Sequence, residues 1–216
     1  VNAQTQRIEI PGPEGVLEAL RDLPAPGSVE QVRGVAVIAH PHPLFGGTMD
    51  NKVVQTLARA FVQSGWCALR FNFRGVGGSA GAYDAGRGEL ADLLAVVADQ
   101  AAGSALALAG FSFGAFVTSH AVAALSAQRV LGPVVLVGTA VSRFDASPIA
   151  ADLHDRTLVL HGESDDTVPL GDVLNWARPQ GLPVTVIPGG GHFFHGQLPL
   201  LRGLVVRHLA SQTASA

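Results

Sequence analysis

Short apolar runs at Val35–Ala39, 66–73, 106–109, Val134–Val137, 157–160 and Val184–Ile187 alternate along the chain with segments whose apolar residues recur at helical spacing. Runs this brief and uninterrupted belong to strands covered on both faces, because a strand with one wet face alternates polar and apolar residues. Strand, helix, strand, repeated in this way, predicts a mostly parallel sheet with helices on both faces, an α/β architecture. The spacing predicts helices over 51–64, with Val54, Leu57, Ala58 and Phe61 on one face and Gly65 closing it, and over 89–101, with Leu90, Leu93, Leu94 and Val97 inward. Further helices are expected at 115–127, 170–176 and 197–209. Before the parallel core, 7–10 and 16–21 read as an antiparallel hairpin whose turn, Pro11-Gly12-Pro13-Glu14-Gly15, breaks the ladder. The Pro-rich stretch 22–31 is a loop, and the tail 211–216 is expected to fray.

With 216 residues, 48% of them hydrophobic and 14% charged, the chain can build one sizeable core, so a single domain over 1–216 is expected. Its net charge of −3 and scattered arginines, with Lys52 the only lysine, give no basic face for nucleic acid. The single Cys67 rules out an intrachain disulfide and, flanked by Trp66 and Ala68, reads as a small buried hydrophobe. No stretch is long enough and apolar enough for a membrane span, which leaves the cytoplasm as the expected compartment. Because the chain begins at Val1 rather than Met, an earlier leader stays open.

Chemistry concentrates at Gly110-Phe111-Ser112-Phe113-Gly114, a G-x-S-x-G pattern with a strand before it and a helix after it. A turn this sharp leaves no room for side chains on its flanks and puts Ser112 at the tip. A serine hydroxyl needs a base, and the base needs a carboxylate to fix its tautomer. Both are expected after Ser112, in loops at the C-terminal ends of later strands. His192 leaves strand Val184–Ile187 through Gly189-Gly190-Gly191, and Asp165 follows strand 157–160. Asp166 and Glu163 stand near enough to replace Asp165, and His195 stands three residues from His192.

Other chemistries fit less well. Eight histidines invite a metal reading, yet prolines restrain His42 on both sides and no clustered Cys/His spacing occurs, so neither metal nor cofactor is expected. The segment Gly75-Val76-Gly77-Gly78-Ser79-Ala80 matches a loose dinucleotide pattern, but that fingerprint must open directly into a helix, whereas here glycines continue the loop.

On these motifs the chain resembles the α/β-hydrolase family over nearly its whole length. Gly110 to Gly114 is similar to the family's nucleophile elbow, His161-Gly162 with Asp165 and Val168-Pro169 to its acid loop, and Gly191-His192-Phe193-Phe194 to its histidine loop. More narrowly, His40-Pro41-His42-Pro43-Leu44-Phe45-Gly46-Gly47-Thr48-Met49-Asp50-Asn51-Lys52 and Phe71-Asn72-Phe73-Arg74-Gly75 resemble a group of small, capless bacterial hydrolases. The resemblance implies a catalytic triad of Ser112, Asp165 and His192. It also implies an oxyanion hole with one backbone N–H from Phe113 and a second from the loop after the first core strand. Pro41 and Pro43 carry no N–H, so the second donor is His42 or Leu44. The side chains of His40 and His42 are expected to bond loop backbone.

In this fold a cap is inserted after the strand that follows the nucleophile helix, but 138–156 has room only for a turn or a short helix. An open site is expected, lined by Leu44, Phe45, Phe113, Phe144 and Phe193. The resulting expectation is a serine hydrolase of small carboxylic esters, monomeric or homodimeric. A thioesterase, an acyltransferase or a binding module that no longer turns over substrate are the alternatives.

Overall fold

The computed structural model describes residues 3–29 and 31–212, and so residues 213–216 of the expected frayed tail lie outside the described residues. Eight strands form one sheet in the order β1-β2-β4-β3-β5-β6-β7-β8. These are β1 (Gln6–Gly12), β2 (Gly15–Asp22), β3 (Val35–Ala39), β4 (Cys67–Phe71), β5 (Leu106–Phe111), β6 (Val134–Val137), β7 (Thr157–Gly162) and β8 (Val184–Ile187). Strands β3 to β8 pair in parallel, while β1 and β2 join antiparallel, β2 lying against β4. The helices are α1 (Lys52–Gln63), α2 (Arg87–Gln100), α3 (Phe113–Ser126), α4 (Leu170–Ala177) and α5 (Leu198–Ser211).

Every residue of β4, β5 and β6 is buried, as expected for strands covered on both faces. On one face α1 and α5 pack through Val53, Val54, Leu57, Phe61, Leu201 and Val205. On the other, Leu93, Val96 and Val97 of α2, Val117 and Val122 of α3 and Val173 of α4 close a second core. The inward face of α2 is therefore rotated from the expected one: Val96 joins Leu93 and Val97, and Leu90 and Leu94 are half-buried.

Three boundaries differ from expectation for identifiable reasons. The β1–β2 ladder runs through Pro11↔Val16 to Gly12↔Gly15, so only Pro13 and Glu14 form the turn. Gly15, at φ 125°, takes a backbone conformation that an L side chain rarely adopts, which lets the pairing continue to the tip. β4 stops at Phe71 rather than at 73. Beyond it Phe73 N–H goes to the His40 imidazole, while the Asn72 side chain bonds Met49 N–H and Glu18. α2 starts at Arg87 because the buried Glu89 carboxylate accepts from Asp84 N–H and Gly86 N–H, capping the helix end ahead of it.

No cap domain covers the C-terminal edge of the sheet; the segment between β6 and β7 holds only a short 3-10 helix at Ala151–Arg156. Among the described residues no helix is long and apolar enough to cross a membrane.

Candidate active site

From β3 the chain crosses to β4 on one side, and β5 then returns to lie on the other side of β3. A crevice opens at such a switch point, because the loops leaving the two neighbouring strands diverge. His40 to Asn51 leave β3 there and Ser112 leaves β5.

Ser112 sits at φ 56°, ψ −117°, a strained conformation for a side chain larger than glycine's. The flanking glycines explain how the turn is possible. A Cβ on Gly110 would run into the backbone of Gly114 and Ala115, and one on Gly114 into the carbonyls of Ala39 and His40. The elbow is thus pressed between β3 and its own helix, which fixes the hydroxyl at the end of β5.

Two further strand ends bring side chains to it. His192 Nε2 lies 3.0 Å from Ser112 Oγ, and His192 Nδ1 lies 2.7 Å from Asp165 Oδ2. This network assigns the imidazole proton to Nδ1, which leaves Nε2 to accept from the serine hydroxyl. All three side chains are buried. The other oxygen of Asp165 accepts from the N–H groups of Thr167, at 3.0 Å, and Val168, at 2.8 Å. Burial alone would raise the Asp165 carboxyl, but the bonds from His192 and Val168 and the neighbouring imidazoles outweigh it and hold the group below the usual carboxylate range. Asp166 and Glu163 do not take this place. Asp166 is exposed, and Glu163 accepts from Gly189 N–H at 2.9 Å, tying the acid loop to the loop that carries His192. His195 is exposed on the far side of the buried Phe194, which anchors that loop in the α1/α5 core.

The loop after β3 is built around two imidazoles. His40 donates from Nδ1 to Pro41 O at 2.6 Å and accepts Phe73 N–H at Nε2, which needs the neutral ring; burial lowers its pKa to about 4. The unfolded chain takes up this proton near pH 6.5 and the folded one only near 4, so stability is intact above 6.5 and falls as pH drops through this window. Urea unfolding is expected to show about 3 kcal/mol of loss from this group between pH 7 and pH 4. Most of that pH-dependent difference should vanish in His40→Asn, and an unchanged pH profile in that variant would assign the loss to other groups.

His42 accepts Leu44 N–H at Nδ1, 3.2 Å away. That bond corrects the expectation for Leu44: its N–H is already engaged, and its side chain, 66% exposed, does not line the crevice. Among the described residues the N–H groups of His42 and of Phe113, the first residue of α3, have no acceptor. His42 lines the same cleft as Ser112, and Phe113 follows Ser112 in the chain.

The cleft itself holds about 320 Å³ and is lined by Pro41, His42, Phe45, Gly47, Ser112 and His192, together with Asn51, Arg143, Thr167 and Phe193. Phe45, 74% exposed, and Phe193, 45% exposed, form its rim. Phe144 is not a lining residue. Its ring stacks on Phe116 at 4.8 Å and meets Phe113 edge-on at 5.2 Å, so apolar packing holds it half-buried on that cluster, beside a neighbouring hollow. Phe113 likewise gives its ring to that cluster and only its backbone to the site. Asn51 stands in the 40–52 motif with no role assigned to it there, and Arg143 and Thr167 carry no sequence signal of their own, although Thr167 lies two residues after Asp165 and Arg143 lies where a cap would be inserted. The glycine-rich 75–81 segment is held by Glu18, which accepts Gly78 N–H, and Ser79, which donates to Asn72 O. Among the described residues no group of three or more His, Cys, Asp or Glu side chains is gathered to hold a metal.

No family model matches the chain. A solved α/β serine hydrolase without lid from Xanthomonas campestris is 35% identical to it, with a TM-score of 0.84 over 98% of this chain and 96% of that one. The chain belongs to the lidless α/β serine hydrolases. A second α/β serine hydrolase homologue of this family, from Coxiella burnetii, is 38% identical with a TM-score of 0.81, covering 97% of this chain and 99% of its own. An uncharacterized protein of Rickettsia prowazekii is 33% identical over 175 residues, 74% of this chain and 71% of that protein. As a lidless α/β serine hydrolase the chain is a hydrolase.

Proposed function

We propose that this hydrolase cleaves carboxylic esters with small or short acyl groups through an acyl-enzyme formed on Ser112, with thioesters as the nearest second class. The observation that carries this reading is the Ser112–His192–Asp165 chain of hydrogen bonds beside two unbonded N–H groups at one end of an open cleft. Ser112 Oγ attacks the ester carbonyl while its proton passes to His192 Nε2. Negative charge then gathers on the carbonyl oxygen, where Phe113 N–H and His42 N–H donate to it. His192 returns the proton to the departing alkoxide, and the acyl group stays on Ser112. Water repeats the sequence in reverse: His192 takes its proton, the hydroxide adds to the acyl carbon, and Ser112 leaves with that proton as the acid is released. Asp165 stays ionised throughout, which suits a carboxylate already held below its usual range.

An open cleft of about 320 Å³ has space for a few acyl carbons and gives a long chain no wall to lie against once it passes the Phe45–Phe193 rim. With p-nitrophenyl esters, kcat/KM is expected to be highest for acetate to butyrate and to fall about tenfold or more by dodecanoate. A fluorophosphonate probe should label Ser112, as mapped by peptide mass spectrometry. Turnover that rises with chain length would overturn the short-acyl reading, and absence of labelling would overturn the nucleophile.

A further inference from the structure

Among the described residues Arg143 is the only Arg, Lys, Asp or Glu that lines the cleft containing Ser112. Among the described residues its guanidinium has no hydrogen-bond or ion-pair partner. The other arginines near the active-site edge of the sheet are engaged: Arg70 with Asp22 and Asp50, Arg74 with Asp92. Asp145 and Asp172 share a neighbouring hollow with Arg143, yet neither comes within ion-pair distance. The backbone beneath Arg143 is anchored, because Phe144 is locked against Phe113 and Phe116 and its N–H is bonded to Ala140 O at 3.2 Å. The fixed backbone roots the side chain between the cleft and the neighbouring hollow, both of which it lines. Its charge is also felt at His42, where burial disfavours protonation, the Glu89 carboxylate favours it and Arg143 disfavours it.

We propose that Arg143 is a specificity residue that binds a carboxylate on the substrate, so that the preferred esters are monoesters of short dicarboxylic acids. This rests on the esterase reading above and names its substrate class. A guanidinium offers paired N–H donors that match the two oxygens of a carboxylate, and a planar fork is selective for that geometry. In a protein of net charge −3, an unpaired cation on the wall of the cleft is also the feature that would draw an anion to Ser112 against the overall field.

The test compares monomethyl glutarate with methyl 4-carbamoylbutanoate, in which an amide of the same shape replaces the carboxylate, by pH-stat release of acid. The wild type is expected to favour the carboxylate about tenfold in kcat/KM. Arg143→Gln should bring that ratio to about one, and Arg143→Lys, which keeps the charge but not the fork, should lie between. In parallel, equilibrium binding of both uncleaved esters is measured by calorimetry on Ser112→Ala, with and without Arg143→Gln. Turnover of both esters with the same ratio in the wild type and Arg143→Gln overturns the carboxylate site and leaves the esterase reading standing. Tighter binding of the carboxylate ester that Arg143→Gln abolishes, without turnover in the wild type, supports the site and overturns the esterase reading. Neither binding preference nor turnover overturns both.

Discussion

Ser112→Ala is expected to lower kcat/KM on a short-chain ester by on the order of 10⁴-fold or more, with the melting temperature nearly unchanged. The two halves of that statement have separate causes. Alanine keeps a Cβ at the strained φ of 56°, so the elbow carries the same backbone strain and the same packing between Gly110 and Gly114. What disappears is the Oγ that lies 3.0 Å from His192 Nε2, and no neighbouring hydroxyl is bonded to that nitrogen. Asp165→Asn provides a sharper version of the same test. An amide nitrogen placed at the Oδ2 position would donate to His192 Nδ1, moving the imidazole proton to Nε2, where it faces Ser112 as a donor instead of an acceptor. The expected loss is on the order of 10⁴-fold in kcat, with KM changing far less. Purified Ser112→Ala that keeps a tenth of wild-type turnover while remaining folded would place the nucleophile elsewhere and end the proposed mechanism.

The sheet was legible because its signal is local and repeated: apolar runs such as Val35–Ala39 and Val134–Val137 have no polar alternation, so burial on both faces follows from each run alone. Ser112, Asp165 and His192 could be chosen because each lies just beyond a strand end, where chain direction limits what can meet. The loops were harder. Whether His42 or Leu44 offers a free N–H depends on the His42 imidazole folding back to accept from Leu44, a three-dimensional fact with no sequence pattern. Apolar character assigns Phe144 to the cleft, but Phe113 and Phe116 provide a drier aromatic site beside it. Its neighbour Arg143 then faces the cleft, and this reversal of two adjacent residues cannot be read from composition. Cross-strand chemistry was equally hidden: nothing in the sequence ties Arg70 on β4 to Asp22 on β2, which lies 48 residues earlier.

Arg70 carries the largest expected effect on stability. Its side chain and that of Asp22 are both buried, with Nε 2.8 Å from Asp22 Oδ2, and its guanidinium also reaches Met49 O at 2.9 Å and Asp50 Oδ1 at 3.1 Å. The side chain thus pins the N-terminal hairpin to the sheet and holds the end of the β3–α1 loop just before Asn51, which lines the cleft. Arg70→Met keeps most of the volume but takes the guanidinium away from the Met49 carbonyl and from a buried carboxylate that keeps the Thr5 hydroxyl, and denaturant unfolding at pH 7 is expected to show a loss of ~3–5 kcal/mol. Burial pushes the Asp22 carboxyl up, while Arg70 and other donors more than offset it and hold the group low. Removing the arginine takes away the largest of these offsets and leaves the Thr5 hydroxyl, so Asp22 in the folded variant takes up a proton more readily than Asp22 in the folded wild type. Its deficit relative to wild type should therefore shrink as pH falls below neutrality, opposite in sign to the His40 contribution. Adding Asp22→Leu to Arg70→Met removes the buried negative charge that lost its cation and should recover more than half of the loss, because replacing both partners of a buried pair costs far less than removing one. A double variant no more stable than Arg70→Met at any pH would show that the arginine acts through the Met49 and Asp50 loop rather than through Asp22. Short-ester kcat/KM should then fall in both variants alike.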